Sequence, residues 1–332
     1  MADFNVRLAS KGEIRGISDW FLAERSKYPG MSQLVGRGVR GWMVRSVVTP
    51  RYLRKVAYTY VLEQDGQTGG FAVVEQGGLA VNLSDFAIRE GFDRAGLMKA
   101  MLAQVEQLAR EREYTYVRAT PWDSSETALA PFYQAGFQLL DYYLWVFTGQ
   151  ISGIEAPKEV TLGELAANKA LERRLHFLRQ ELDASQVAGR DLIEAVFFPK
   201  KPSTYRAYRV ETMDPQGGQP DEIGYLSPRP NERSDGVLTL SISLQPETWG
   251  SDLEMQTVGG YAAEAGPDQP VRVLICTSLH ADRAEAGYRK LGLTRELDLR
   301  PVLYKDVTGE LSSATEAQPE TSPYTPTANL PQ

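Results

Sequence analysis

The apolar positions of this chain follow two periods. Ile14, Ile17, Trp20 and Phe21 recur at helical spacing and predict a helix over residues 13–26. Residues 5–8 read as a short strand before it. Residues 56–63 and 70–75, rich in Val and Tyr or alternating, flank an Asp65-Gly66 turn and predict a hairpin. Gly77-Gly78 turns the chain into another strand, 79–88. Leu97, Met101, Val105 and Leu108 mark an amphipathic helix over 96–112. A strand over 114–119 follows, then a short helix over 127–135 closed by Gly136, then a strand pair or hairpin over 137–147.

The same order partly recurs. Residues 162–182 read as a helix, 205–211, 222–226 and 237–244 as strands, 253–264 as a helix, 271–277 as a strand, 282–291 as a helix and 297–304 as a last strand. A recurrence on this scale is a repeated domain and not a solenoid. The expected organisation is a first domain over 1–148, a linker over 149–159, a second domain over 160–306 and a disordered Ser/Thr/Pro/Glu-rich tail over 307–332. Each domain is expected to be α/β (α+β), a mixed twisted sheet flanked by helices.

Composition narrows the chemistry. The 332 residues are 42% hydrophobic, enough for two packed cores. A net charge of −7 disfavours a phosphate backbone as partner, so no nucleic acid is expected. The chain has no apolar run of membrane-spanning length and no leader-like start, and its lone cysteine, Cys276, fits a reducing cytoplasm. With His176 and His280 the only histidines, neither a zinc site nor a Ser-His-Asp triad is expected. Catalysis would then fall to carboxylates, tyrosines, backbone amides or a cofactor.

The informative stretch is 80–137. A strand, loop, helix, strand and short helix end in Phe132-Tyr133-Gln134-Ala135-Gly136-Phe137. This run and its context resemble the GNAT superfamily of acyl-CoA N-acyltransferases, whose members carry FYxxGF or close to it here. Tyr288-Arg289-Lys290-Leu291-Gly292-Leu293 stands at the equivalent place in the second half, so the resemblance covers about 300 residues as a tandem pair. It implies acetyl-CoA as co-substrate and an amine of a small molecule or peptide as acceptor.

The family's pyrophosphate loop reads Q/R-x-x-G-x-G/A, where backbone N–H groups and a helix dipole meet the phosphates. The matching residues are Asp93, Arg94, Ala95, Gly96, Leu97 and Met98. Only Gly96 keeps the pattern; Asp93 replaces Gln or Arg, and Met98 replaces the final small residue. In the second half the loop reads Trp249-Gly250-Ser251-Asp252-Leu253-Glu254, with acidic residues at both glycine positions, which points to a degenerate repeat. The resemblance further implies backbone donors at Phe86, Ala87 and Ile88 for the acyl oxygen. It places Tyr133 as the acid for the departing thiolate, with Tyr288 its second-half counterpart.

For the base, Asp85 is the only carboxylate on the central strand. Strand alternation puts it on one face with Val81, Leu83 and Ala87, where desolvation would raise its pKa. A plain hydrogen bond to neighbouring backbone is the competing role, and Asp123 and Glu126 are rival bases. Residues 28–55 carry Arg37, Arg40, Arg45, Arg51, Arg54 and Lys55, readable as a solvated basic face or as a reader of acidic acceptors. Three functions remain open at this point: an acetyl-CoA-dependent N-acetyltransferase, a GNAT-fold binding or regulatory module that has lost its cofactor, and, from the resemblance to tandem folds that accept aminoacyl-tRNA, an acyltransferase using a different donor, which the acidic net charge argues against.

Overall fold

The computed structural model describes residues 2–27, 43–55, 57–121, 125–151, 159–198, 206–212, 220–229, 236–266, 270–297 and 301–309. Most of the expected linker and tail, Asp123 and the 28–42 part of the basic stretch lie outside them. The rest of that stretch is a π turn at Val44–Val48 running into α2 (Thr49–Lys55).

Two seven-stranded mixed sheets carry the chain. The first half supplies β1 (Phe4–Leu8), α1 (Ile14–Ser26), α2, β2 (Tyr58–Gln64), β3 (Gln67–Gly77), β4 (Ala80–Ile88), α3 (Arg94–Glu111), β5 (Tyr116–Ala119), α4 (Glu126–Gln134), β6 (Gln138–Leu139) and β7 (Trp145–Gln150). The second half supplies β8 (Val160–Glu164), α5 (Ala167–Ser185), α6 (Arg190–Phe197), β9 (Tyr208–Thr212), β10 (Glu222–Arg229), β11 (Leu238–Leu244), α7 (Asp252–Ala265), β12 (Pro270–Ile275), α8 (Ser278–Lys290), β13 (Leu293–Leu297) and β14 (Leu303–Asp306). β8 overlaps the start of the helix expected over 162–182, which begins only at Ala167, and α6 is an additional helix that the apolar spacing does not mark.

The sheet orders are β1-β2-β3-β4-β5-β14-β6 and β8-β9-β10-β11-β12-β7-β13. They correspond element for element, with one exchange: β7 completes the second sheet and β14 completes the first. β7 pairs antiparallel with β12 through Val273↔Phe147 and with β13 through Arg295↔Phe147. β14 pairs with β5 through Leu303↔Ala119 and with β6 through Leu303↔Leu139. The expected closing hairpin over 137–147 is therefore two strands in different sheets. Gly149 lets β7 and β13 meet, since a Cβ there would lie 2.4 Å from the Gly292 carbonyl oxygen.

In each sheet one pair is parallel, β4 with β5 and β11 with β12. The amphipathic stripe of α3 (Leu97, Met101, Val105, Leu108) buries one face of the first sheet against Leu62, Val74, Val81 and Leu83. α1 and α2 cover the other face with Ile17, Phe21 and Leu53 on Val61, Phe71 and Val73. A third apolar cluster joins the halves: Tyr116, Leu140, Leu178, Leu192, Ile193 and Tyr304. Tyr116 donates its hydroxyl to Asp191 at 2.8 and 2.9 Å across that seam.

One irregularity positions the chemistry. Val74 pairs with Leu83 but Val73 pairs with Asp85, so Ser84 is the extra residue of a β-bulge. The bulge reverses the facing of the residues after it. Val81 and Leu83 face α3, while Asp85 and Ala87 face α1. Strict alternation had put Asp85 on one face with Val81 and Leu83; the inserted Ser84 overturns that.

The exchange makes folding of each half depend on the other. A chain ending at Gln150 loses β14 from between β5 and β6 and leaves β7 without either neighbour. We expect it to give no cooperative thermal transition, whereas the full chain does. Leu303 is fully buried in the first core. Leu303→Ala should cost about 2–5 kcal/mol in denaturant unfolding, although its contacts are with residues far away in sequence.

Candidate active site

The parallel β4–β5 ladder runs from Ala80↔Tyr116 to Leu83↔Ala119 and stops. β4 continues to Ile88 paired with β3 alone. Arg89 N–H bonds the Gly69 carbonyl at 2.8 Å, so alternation turns the N–H groups of Phe86 and Ile88 away from β3, into the gap that β5 leaves. A cleft of about 560 Å³ opens there. Its floor is Phe86, Ala87 and Ile88; Trp20, Glu24 and Lys27 of α1, Arg94 of α3, and Pro121 and Ala128 form the walls. Arg89 and Glu90 sit at the rim, so the lining carries three cationic and two anionic side chains. Arg89 lies over the Trp20 ring at 4.5 Å, and Lys27 pairs with Glu24 at 2.8 Å.

The loop before α3 is built differently from an open amide cradle. Asp93 caps the helix, its Oδ1 accepting from Gly96 N–H at 3.1 Å, and its own N–H donates to Gln64 Oε1 at 2.8 Å. Gly96 is glycine because a Cβ would stand 2.2 Å from the Phe4 ring of β1. Leu97 and Met98 are fully buried in the core, so Met98 does not block the cleft. Ala95 is exposed outside it. Of the loop residues singled out in the sequence, Arg94 alone lines the cleft.

Asp85 is 5% exposed, and Arg25 of α1 grips both of its oxygens, at 3.0 and 2.6 Å. The same guanidinium lies over the Phe21 ring at 4.3 Å. Tyr133 is 44% exposed on α4 and does not line the cleft, although Ala128 of the same helix does. Glu126 is an exposed first-turn residue of α4. Sequence reasoning missed Arg25, Trp20, Lys27 and Arg89. A basic residue in a last helical turn carries no mark of the carboxylate it will meet.

Residues 37–137 match the sequence model of the acetyltransferase (GNAT) family. The match lies wholly within the first half of the chain. Among curated proteins, none matches the sequence. Solved structures similar to the chain include a GCN5-related N-acetyltransferase from Sphaerobacter thermophilus (14% identity, 92% of this chain and 96% of that one, TM-score 0.48). Another is a GCN5-related N-acetyltransferase from Kribbella flavida (12% identity, 92% and 71%, TM-score 0.46). A third is a tandem GNAT protein from the clavulanic acid biosynthesis pathway (14% identity, 92% and 99%, TM-score 0.42).

The second half repeats the strand order of the first, but at the position matching the cleft it holds a buried polar cluster. Glu254, in the first turn of α7, accepts from Gly250 N–H at 2.6 Å, from the Tyr288 hydroxyl at 2.6 Å and from His280 Nε2 at 2.9 Å. His280 Nδ1 donates to Glu181 of α5. The ring stacks on Trp249, centroids 4.7 Å apart. Glu181, Glu254, His280 and Tyr288 have no exposed surface. Burial opposes a charge on His280, but Glu254 and Glu181 outweigh it and push its pKa up to about 10. Burial, with Glu254 beside it, raises the Tyr288 phenol well above its usual range, so it stays a neutral donor. Gly250, at φ +74, allows the turn; a Cβ would lie 2.2 Å from the Arg283 carbonyl oxygen.

The raised pKa sets a sign. The protonated ring stabilises the fold fully below the ordinary histidine value of 6.5, and that contribution is lost as pH rises through about 10. His280→Ala, which leaves two buried carboxylates unpaired, should cost about 3–5 kcal/mol at pH 7. The Tm difference between wild type and variant should narrow from pH 7 to pH 10.5 in matched melts; a constant difference would show that the imidazolium is not what holds the cluster.

Proposed function

We propose that the protein is an acyl-CoA-dependent N-acyltransferase, with acetyl-CoA as donor, working through the cleft of its first half. The carrying observation is the gap beyond Leu83↔Ala119, where the N–H groups of Phe86 and Ile88 face an open space on a strand bent by a bulge. Acetyl-CoA would supply a thioester-activated acyl carbon. The residues present fit its acyl and pantetheine arm. Phe86 and Ile88 would donate to the acyl oxygen, the position where fixed backbone dipoles stabilise developing charge most. Arg94, Arg89 and Lys27 would neutralise the phosphates in place of the amide cradle, because Asp93 already engages Gly96 N–H.

The acceptor in this reading is an amine of a small molecule or peptide, approaching from the α1 face that carries Asp85. Asp85, gripped by Arg25, is both the candidate base and the anchor that holds α1 to β4. The proposed location is the cytoplasm, in keeping with a single, buried cysteine. Among the described residues no helix is long and apolar enough to cross a membrane. The self-capped loop favours a second reading, a GNAT-fold module that binds a ligand without catalysis.

Calorimetric titration of the full chain with acetyl-CoA separates the two. We expect micromolar binding, weakened about tenfold by Arg94→Gln, in line with losing one charge-assisted contact. Asp93→Ala should lower stability by about 1 kcal/mol through loss of the cap and yet tighten binding, since it frees Gly96 N–H. Absence of heat with acetyl-CoA and with longer acyl-CoAs would leave only the binding module. A general acid at Tyr133 would make Tyr133→Phe cost about 10²–10⁴ in kcat. With that hydroxyl outside the cleft, we expect a loss of about threefold or less, on the same transition-state scale.

A further inference from the structure

A second cavity, of about 480 Å³, lies between the halves. It opens near the start of β4, at the end of the strand opposite Phe86–Ile88. β3, β4 and β5 of the first sheet supply Glu75, Asn82 and Arg118; α6 of the second half supplies Val196 and Phe197. This size falls within the range of about 300–1,000 Å³ typical of small-molecule sites.

Its polar groups come in a fixed order. Asn82 pairs in register with Glu75 on one side and with Arg118 on the other, so the three side chains share a sheet face. Asn82 is the spacer: its Oδ1 accepts from Arg118 Nε at 3.1 Å, and its Nδ2 donates to Glu75 Oε2 at 3.3 Å. Tyr52 of α2 donates its hydroxyl to Glu75 Oε1. Glu75 and Arg118 are thus held in one cavity without an ion pair between them. Arg118 lies over the Phe197 ring at 5.2 Å, and both of its Nη atoms lack a hydrogen-bond partner among the described residues. Burial pulls its pKa down, and the Glu75 charge opposes that only in part. A carboxylate accepts about four hydrogen bonds, and the protein supplies Glu75 with two.

Fixed opposite charges that do not neutralise each other fit a ligand that carries both. We propose that this cavity binds a small zwitterion of the α-amino-acid type, its carboxylate on the Arg118 Nη groups, its ammonium on Glu75 and an apolar side chain against Val196 and Phe197. A guanidinium fork matches a carboxylate in two parallel hydrogen bonds, and the aromatic wall excludes water from them. The assignment concerns binding and does not depend on the transfer reaction.

The test is calorimetry and thermal shift on the full chain with L-leucine, L-methionine and L-phenylalanine, each beside its N-acetyl and its amide derivative. At least one free amino acid should bind, and blocking either end should weaken it about tenfold or more, since each block removes a charged hydrogen-bonding end. Arg118→Gln and Glu75→Gln should abolish binding, with Arg118→Lys restoring part of it; melts of each variant without ligand establish that it is folded. Failure of all three free amino acids to bind would overturn the assignment. So would blocked forms binding as well as free ones, or a folded Arg118→Gln binding like wild type.

Discussion

The reciprocal exchange of β7 and β14 is the constraint on which the rest depends. A sheet missing an interior strand exposes two unpaired edges and an open core, and neither half can supply its own. β14 brings Leu303 into the first core and Lys305 to Glu106 of α3 at 2.7 Å. β7 brings Phe147 against Tyr288, ring centroids 4.5 Å apart, in the second core. Two repeats that could have been separate bodies are thereby one. The apolar seam around Tyr116 and Leu192 goes with the exchange, because the chain must cross between sheets twice, and the cavity beside Arg118 lies along that seam.

Within this frame the two repeats treat the same helix N-terminus in different ways. In the first, Asp93 caps α3 from an exposed position and the gap beside β4 stays open. In the second, Glu254 turns inward, takes the Gly250 N–H and is locked by His280 and Tyr288. An anion sits at each helix start, as the dipole favours. The difference is where the carboxylate is rooted. A side chain at the cap itself leaves the space in front of the strand free. One set a turn further along reaches into the interior, and the interior must then bring partners to it.

The local elements and the family resemblance were legible because they rest on short-range patterns. The stripe of α3, the turn at Asp65-Gly66 and Phe132-Tyr133-Gln134-Ala135-Gly136-Phe137 each carry their cause within a few residues. Strand exchange has no such signature. The alternation of Trp145–Gln150 is satisfied equally by either sheet, since both bury the same kind of face. The bulge at Ser84 was invisible for a related reason: a polar residue on a strand reads as outward-facing, not as an extra residue, and so Asp85 was given the wrong neighbours. Gly96 shows the opposite hazard. It matched the expected motif, yet the contact that demands glycine there is the ring of Phe4, far back in the chain on β1.

Two buried or half-buried charge clusters remain, and the contrast between them separates packing from recognition. Around His280 the groups are stacked, bonded to one another and sealed from water, so a ligand could enter only by breaking an ionic network in a medium of low polarity. Around Arg118 the charges are of similar kind but are held apart by Asn82, against an open volume. Charges that meet each other finish a core. Charges that are kept from meeting, on strands rigid enough to maintain the separation, retain most of their interaction energy for a ligand that arrives later.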